Sequence, residues 1–290
     1  MLRIFNGVFF ILIMGSGIAS TSQFEKFTKL ANEGDAESQF NLGVLYFDGI
    51  GTDVNYKEAF KWYSLAAEQG DADAQVNLGS MYVDGSGVPV DHIKAINWFT
   101  KAADQGDIDA QFNLGTLFRN GFSGAPKNNK LAFKWFKVAA ENGHAEAQTN
   151  LGIIYEFGDG VEVDYQQSIK WYKLSAEQGL GKAQYNLGMI YNKGKGVDID
   201  YYKGFHWMKL AAINGVSNAQ YNLGIMYGAG SGTPASYVDA YVWFKIAELN
   251  GDQEAGSILV TLVKELGNEQ IQIGQSKIKL ILNEIKNQKL

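Results

Sequence analysis

Apolar positions return along this chain in two alternating helical stripes. In one stretch Ala74, Leu78, Met81 and Tyr82 fall at i, i+4, i+7 and i+8, one face of an amphipathic helix. A glycine-rich turn follows, Gly85-Ser-Gly87-Val-Pro89-Val-Asp91. Ala95, Trp98, Phe99, Ala102 and Ala103 then form a second stripe. The same pair recurs six times. An interior glycine marks the first stripe at Gly43, Gly79, Gly115, Gly152, Gly188 and Gly224, and a tryptophan marks the second at Trp62, Trp98, Trp135, Trp171, Trp207 and Trp243. The steps are 36 or 37 residues. Self-similarity at this period predicts an all-α solenoid of helix pairs, each packing on its neighbours.

Local signals place the ends of the elements. The second stripe closes on Gly34, Gly70, Gly106, Gly143, Gly179, Gly215 and Gly251, a residue that terminates helices. Asp91, Asp164 and Asp200 stand where an N-cap or a first-turn acid belongs. A glycine inside a helix costs about 1 kcal/mol against alanine. Its sixfold recurrence predicts close approach of the partner helix, with Trp and Ala residues packed on bare backbone. The third turn, Gly121 to Lys127, is longer by one residue, and the sixth, Gly228 to Ser236, also reads as enlarged.

The flanks read differently. Gln23 to Glu33 carries Phe24, Phe27, Leu30 and Ala31 at helical spacing, which makes 20–35 a half-repeat that covers the first full unit. Six repeats then run over 36–251. Residues 252–290 form two capping helices, the last starting at Asn268. Residues 1–19 have the form of a secretory signal peptide: Arg3, an apolar run from Val8 to Met14, then Gly17-Ile18-Ala19. The run is too short for a comfortable membrane span. The expected protein is exported, periplasmic or secreted, with no span after cleavage. The alternative is a retained N-terminal anchor.

Composition narrows the chemistry. The 290 residues are 46% hydrophobic, carry a net charge of −6 and include no cysteine. Disulfides and thiolate chemistry are excluded, and the acidic balance argues against nucleic acid as a partner. His92, His144 and His206 lie in different repeats, without the shared spacing of a metal site. His144, next to Gly143, reads as a surface residue. The Gly-x-Gly turns join two helices, so they are not nucleotide loops. No Gly-x-Ser-x-Gly elbow is present. These observations predict no catalytic residue, no metal, no cofactor and no enzyme.

Leu78-Gly79-x-x-Tyr82 followed by Ala95-x-x-x-Phe99-x-x-Ala102 resembles the tetratricopeptide pattern. The period, the Ala-Gln before x-Asn-Leu-Gly, the Gly-x-Gly turn and the Trp-aromatic-x-x-Ala-Ala ending resemble Sel1-like repeats over about residues 24–265. The resemblance implies a right-handed α/α superhelical solenoid used as a protein-interaction scaffold, often in bacterial envelopes or in host-directed proteins. Many bacterial relatives carry a cysteine pair in each repeat. This chain departs from that branch, and from the β-lactam binding proposed for it.

In the superhelix so implied, one face of each first helix lines a concave groove. Asn41, Asn77, Asn113, Asn150, Asn186 and Asn222 stand two before each interior glycine. As amides they can pair with the backbone of an extended peptide, or with a neighbouring repeat. One residue earlier come Phe40, Val76, Phe112, Thr149, Tyr185 and Tyr221, of which Phe40, Phe112, Tyr185 and Tyr221 offer aromatic anchors or inter-helix packing. Arg119, Glu156 and Lys193 vary on that frame. The expected ligand is a protein or extended peptide. Alternatives are an envelope scaffold that uses its convex face or ends, and a cell-wall-active or β-lactam-interacting enzyme. The sequence leaves the oligomeric state open.

Overall fold

The structure is a computed structural model that describes residues 17–287 except 125, with side chains from residue 22 onward. The leader read over 1–19 lies outside the described residues, apart from helical backbone from Gly17. Among the described residues the regular elements are α-helices, fifteen in all. The chain divides into two compact units, 1–144 and 145–290. The first holds α1 (Gly17–Asn32), α2 (Ala36–Asp48), α3 (Tyr56–Glu68), α4 (Ala72–Asp84), α5 (His92–Asp104), α6 (Ile108–Asn120) and α7 (Asn129–Glu141). The second holds α8 (Ala145–Phe157), α9 (Tyr165–Glu177), α10 (Gly181–Lys193), α11 (Tyr201–Ile213), α12 (Ser217–Ala229), α13 (Tyr237–Leu249), α14 (Gln253–Glu265) and α15 (Asn268–Asn287).

Close approach explains the interior glycines, but through a different side chain from the tryptophan expected. A Cβ on Gly43 would stand 2.6 Å from the Tyr63 ring, one on Gly115 2.6 Å from Phe136, and one on Gly152 2.6 Å from Tyr172. In five of the six repeats the ring on the glycine belongs to the residue after the tryptophan; at Gly188 that residue is Met208, whose backbone N would stand 3.2 Å from a Cβ. One position is about 100° around a helix, which turns the indole elsewhere. Trp62, for example, clusters with Ala31 of α1 and Leu42 of α2. Lysine ammonium groups lie over several of these indoles, at 3.8 Å for Lys101 on Trp98 and 4.8 Å for Lys61 on Trp62. The alanines of the second stripe are buried as expected; Ala66, Ala102, Ala139 and Ala211 are fully enclosed.

The sixth turn is not enlarged. Gly228 continues α12 to Ala229, so the connection is 230–236, the same span as 194–200 after α10. Only the third turn, 121–128, is longer. At the C-terminal end α15 packs on α13. Gly274 of α15 meets the Tyr241 ring, where a Cβ would stand 2.6 Å away. The repeats' glycine-and-ring contact is thus used once more to close the second unit.

The expected caps are in place. Asp91 accepts from Lys94 N–H at 3.0 Å, Asp164 from Gln167 at 2.9 Å and Asp200 from Lys203 at 2.9 Å. The caps of α4 and α6, Asp71 and Asp107, are held above the usual carboxylate range. Burial is the main cause, and neighbouring acids add to it: Asp73 and Glu37 beside Asp71, Asp109 and Asp73 beside Asp107. A carboxyl whose folded value is raised favours the folded state as pH falls through it towards the unfolded value of about 3.9, and disfavours it at neutral pH. Asparagine caps a helix as well as aspartate. The Asp71→Asn/Asp107→Asn variant is therefore expected to unfold about 1–3 °C higher than the parent near neutral pH. Solvent screening of these half-buried groups keeps the gain that small. The gap should shrink on acidification to about pH 4.5, as carboxylates take up protons. A gap that stays constant with pH would count against the charge explanation.

Candidate functional site

Two amide ladders follow from the repeat, and they have different roles. The buried one is built from Gln39, Gln75, Gln111, Gln148, Gln184 and Gln220. Gln75 donates to the Ala67 carbonyl at 3.1 Å and accepts from Gln105 at 3.0 Å. Gln39 does the same between Ala31 and Gln69, and Gln184 between Ala176 and Asn214. Gln220 joins Ala212 and Asn250. Each of these four glutamines thus ties the end of the preceding helix to the junction that follows its own repeat. Sequence reasoning did not assign this role, although a glutamine at this position in all six repeats, preceded by alanine in five, carried the signal.

The asparagines are less uniform. Asn77 and Asn113 are only 6% and 3% exposed, behind the surface of the first unit. Asn77 hydrogen-bonds the Tyr63 hydroxyl of the preceding repeat, and Asn41 donates to Glu37 of its own helix at 2.9 Å. Asn150 is half-buried on α8. Phe40 and Phe112, also half-buried, rest against the rings that fill the glycine notches: Phe40 on Tyr63 at 5.8 Å, Phe112 on Phe136 at 5.8 Å. His144 differs from the surface position expected. Its side chain is 12% exposed, stacks on Phe112 at 4.4 Å and lies 3.3 Å from Asp109. The flat imidazole covers the ring, which the sequence position after a glycine does not reveal.

The second unit brings four of the ten candidates to open clefts. The first cleft, ≈ 270 Å³, includes Tyr185, Asn186, Glu156, Lys182, Lys193 and Lys195 in its wall. The second, ≈ 480 Å³, is lined by Tyr185, Asn218, Tyr221, Asn222 and the start of α14, Asp252 to Glu254. Tyr185 is common to both. In the first, Asn186 bonds the Tyr172 hydroxyl, which donates to Glu156 Oε2 at 2.9 Å. Lys195 Nζ meets Glu156 Oε1 at 2.8 Å. Burial and then the Glu156 charge push the Tyr172 phenol well above its usual range, so it remains a neutral donor. In the second, the Tyr221 hydroxyl is raised by burial and by Glu254, to which it is hydrogen-bonded. The Asn222 amide nitrogen reaches the Met189 sulfur at 4.0 Å, a weak contact. Tyrosines flanked by amides in a half-open cleft suit backbone pairing and side-chain anchoring.

Among the described residues no helix is long and apolar enough to cross a membrane. A family model described as the Sel1 repeat matches residues 36–71, 72–107, 108–144, 145–180, 181–216 and 217–252. Among solved structures the chain is similar to c5321, described as a protective antigen present in uropathogenic Escherichia coli strains displaying an SLR fold. The two are 33% identical with a TM-score of 0.83. The match covers 92% of this chain and 57% of that one, so this chain spans little more than half of the antigen's length. It is also similar to a Sel1 repeat protein from Oxalobacter formigenes, at 33% identity and a TM-score of 0.68, over 80% of this chain and 94% of that one. No curated protein matches it.

Proposed function

The chain belongs to the Sel1 repeat family, and from that premise we propose that it is an exported, non-catalytic scaffold that holds an extended protein segment across the first-helix face of its second unit. Sel1 repeats generally mediate protein interactions. One observation carries the proposal: two adjoining clefts share Tyr185 and include Asn186, Tyr221 and Asn222 in their walls. An extended segment fits there because its side chains alternate in direction and its backbone exposes a donor and an acceptor at each residue. The clefts exist before a partner arrives, which lowers the ordering cost of binding. Export rests on the apolar run Val8 to Met14 and the small residues Gly17-Ile18-Ala19.

Random-peptide display against the full chain tests the reading. Selected peptides are expected to bind the parent and to lose about tenfold or more in affinity on the Tyr185→Ala/Tyr221→Ala variant. Both tyrosines are only partly buried, so the variant should keep its helical circular dichroism. Equal binding by a folded variant would place the interaction elsewhere.

A further inference from the structure

We propose that the segment held there is bipolar and that its direction is read: an acidic side chain seats against Lys182 and Lys193, and a basic side chain a few residues away seats against Asp252 and Glu254, with Tyr185 between them. The inference rests on the groove reading above and adds the class of ligand.

Charge on the two clefts is opposite in sign. In the first, Glu156 pairs with Lys195 at 2.8 Å, so those charges offset one another. Lys182 and Lys193 remain, both exposed, and neither makes an ion pair among the described residues. In the second cleft the charged residues are Asp252 and Glu254, with no cation in the wall. Asp252 accepts from Ala255 N–H at 2.9 Å, and Glu254 accepts from the Tyr221 hydroxyl. These bonds position both carboxylates at the cleft.

The sequence register shows that this polarity is local. Two residues before the buried glutamine, the repeats carry Glu37, Asp73, Asp109 and Glu146 in turn. The sign then inverts at Lys182 and passes through neutral Asn218; at the matching place in α14, where Gly256 replaces the glutamine, it returns at Glu254. A ladder that served only the stack would have no use for the inversion, since the bonded glutamine two residues on is unchanged. Opposite charges across a binding surface fix register and orientation more than raw affinity. Helix rows about 10 Å apart put α10 and α14, with α12 between them, up to about 20 Å apart, or about three to six residues of extended chain once side-chain reach is allowed for.

The test uses the full chain and fluorescein-labelled peptides of about twelve residues on a Ser/Ala/Tyr background. One set carries Glu before Lys, another Lys before Glu, and a third Gln at both positions, with separations of about three to seven residues. Fluorescence anisotropy at about 50 mM and 150 mM salt gives the affinities. One order is expected to bind about tenfold more tightly than the reverse and than the neutral peptide, with the difference shrinking at higher salt. The Lys182→Glu/Lys193→Glu/Glu254→Lys variant changes exposed side chains only and should invert the preferred order. Equal affinity for both orders, no binding by any charged peptide, or an unchanged order in the variant would overturn the proposal. The display experiment reads tyrosines and this one reads charges. Tyrosine-dependent capture without an order preference would thus remove the polarity and leave the groove reading standing.

Discussion

Gln184→Leu is expected to destabilise the second unit by about 2–3 kcal/mol. The substitution keeps much of the volume and removes every polar atom. It leaves the Ala176 carbonyl without the N–H that reaches it at 3.1 Å, and it takes from Asn214 the oxygen it donates to at 2.7 Å. Gln184 is 3% exposed, so water does not replace these partners cheaply. Asn214 is exposed and also reaches the Gly179 carbonyl at 3.2 Å, so Asn214→Ala should cost less, about 1 kcal/mol. The double variant should cost less than the sum, because the bond between the two side chains is lost only once. Urea unfolding of the full chain, followed by circular dichroism, reads all three. A cost for Gln184→Leu no larger than for Asn214→Ala would mean that the buried amide is not a structural tie.

Gly115→Ala is the second large effect, and its sign runs against helix propensity. At an open helical site the change would gain about 1 kcal/mol. Here the new methyl would stand 2.6 Å from Cδ1 and 2.8 Å from Cε1 of Phe136, a ring with no exposed surface. Overpacking of an enclosed ring costs about 1–3 kcal/mol. We expect a net loss of about 1–2 kcal/mol in the first unit after the propensity gain is subtracted. Phe136→Leu alone should also destabilise, by opening the notch. Combined with Gly115→Ala it should recover part of the loss, because the smaller side chain leaves room for the methyl. Additive losses in the double variant would show that the two positions do not share the notch.

Much of this architecture was legible because its signals are local. A helix start needs a capping oxygen within three residues, and Asp91, Asp164 and Asp200 supply it. A period of 36 residues needs only counting. The errors came where geometry across elements decides. The indole and the following aromatic are adjacent in sequence, and only the packed helix pair shows that Phe136, not Trp135, fills the Gly115 notch. Gly228-Ala-Gly-Ser-Gly looks like loop throughout, yet Gly228 and Ala229 are still helical. The glutamine ladder joins residues about thirty positions apart, such as Gln39 and Gln69, beyond the reach of any local rule. Of the candidate site, helical periodicity put the asparagines and aromatics on one helix face, but it did not separate the buried Asn77 and Asn113 from Tyr185, Asn186, Tyr221 and Asn222 at the clefts. The site's opposite charges were not readable, because Lys182 acquires meaning only when Asp252 and Glu254 are seen across Tyr185.

The ladder's constant reach bears on how such a gene can change length. Gln69 bonds Gln39, thirty residues back, and Gly34, thirty-five back; Asn214 repeats both bonds with Gln184 and Gly179. These ties are defined by offset, not by a particular pair, and the longer third repeat shifts its own to thirty-one, from Asn142 to Gln111. A stretch of coding sequence one period long can therefore be copied or lost from any starting point within the repeats, and the new neighbours meet the same donors and acceptors as the old. A change in copy number by whole periods would thus keep these buried hydrogen bonds paired.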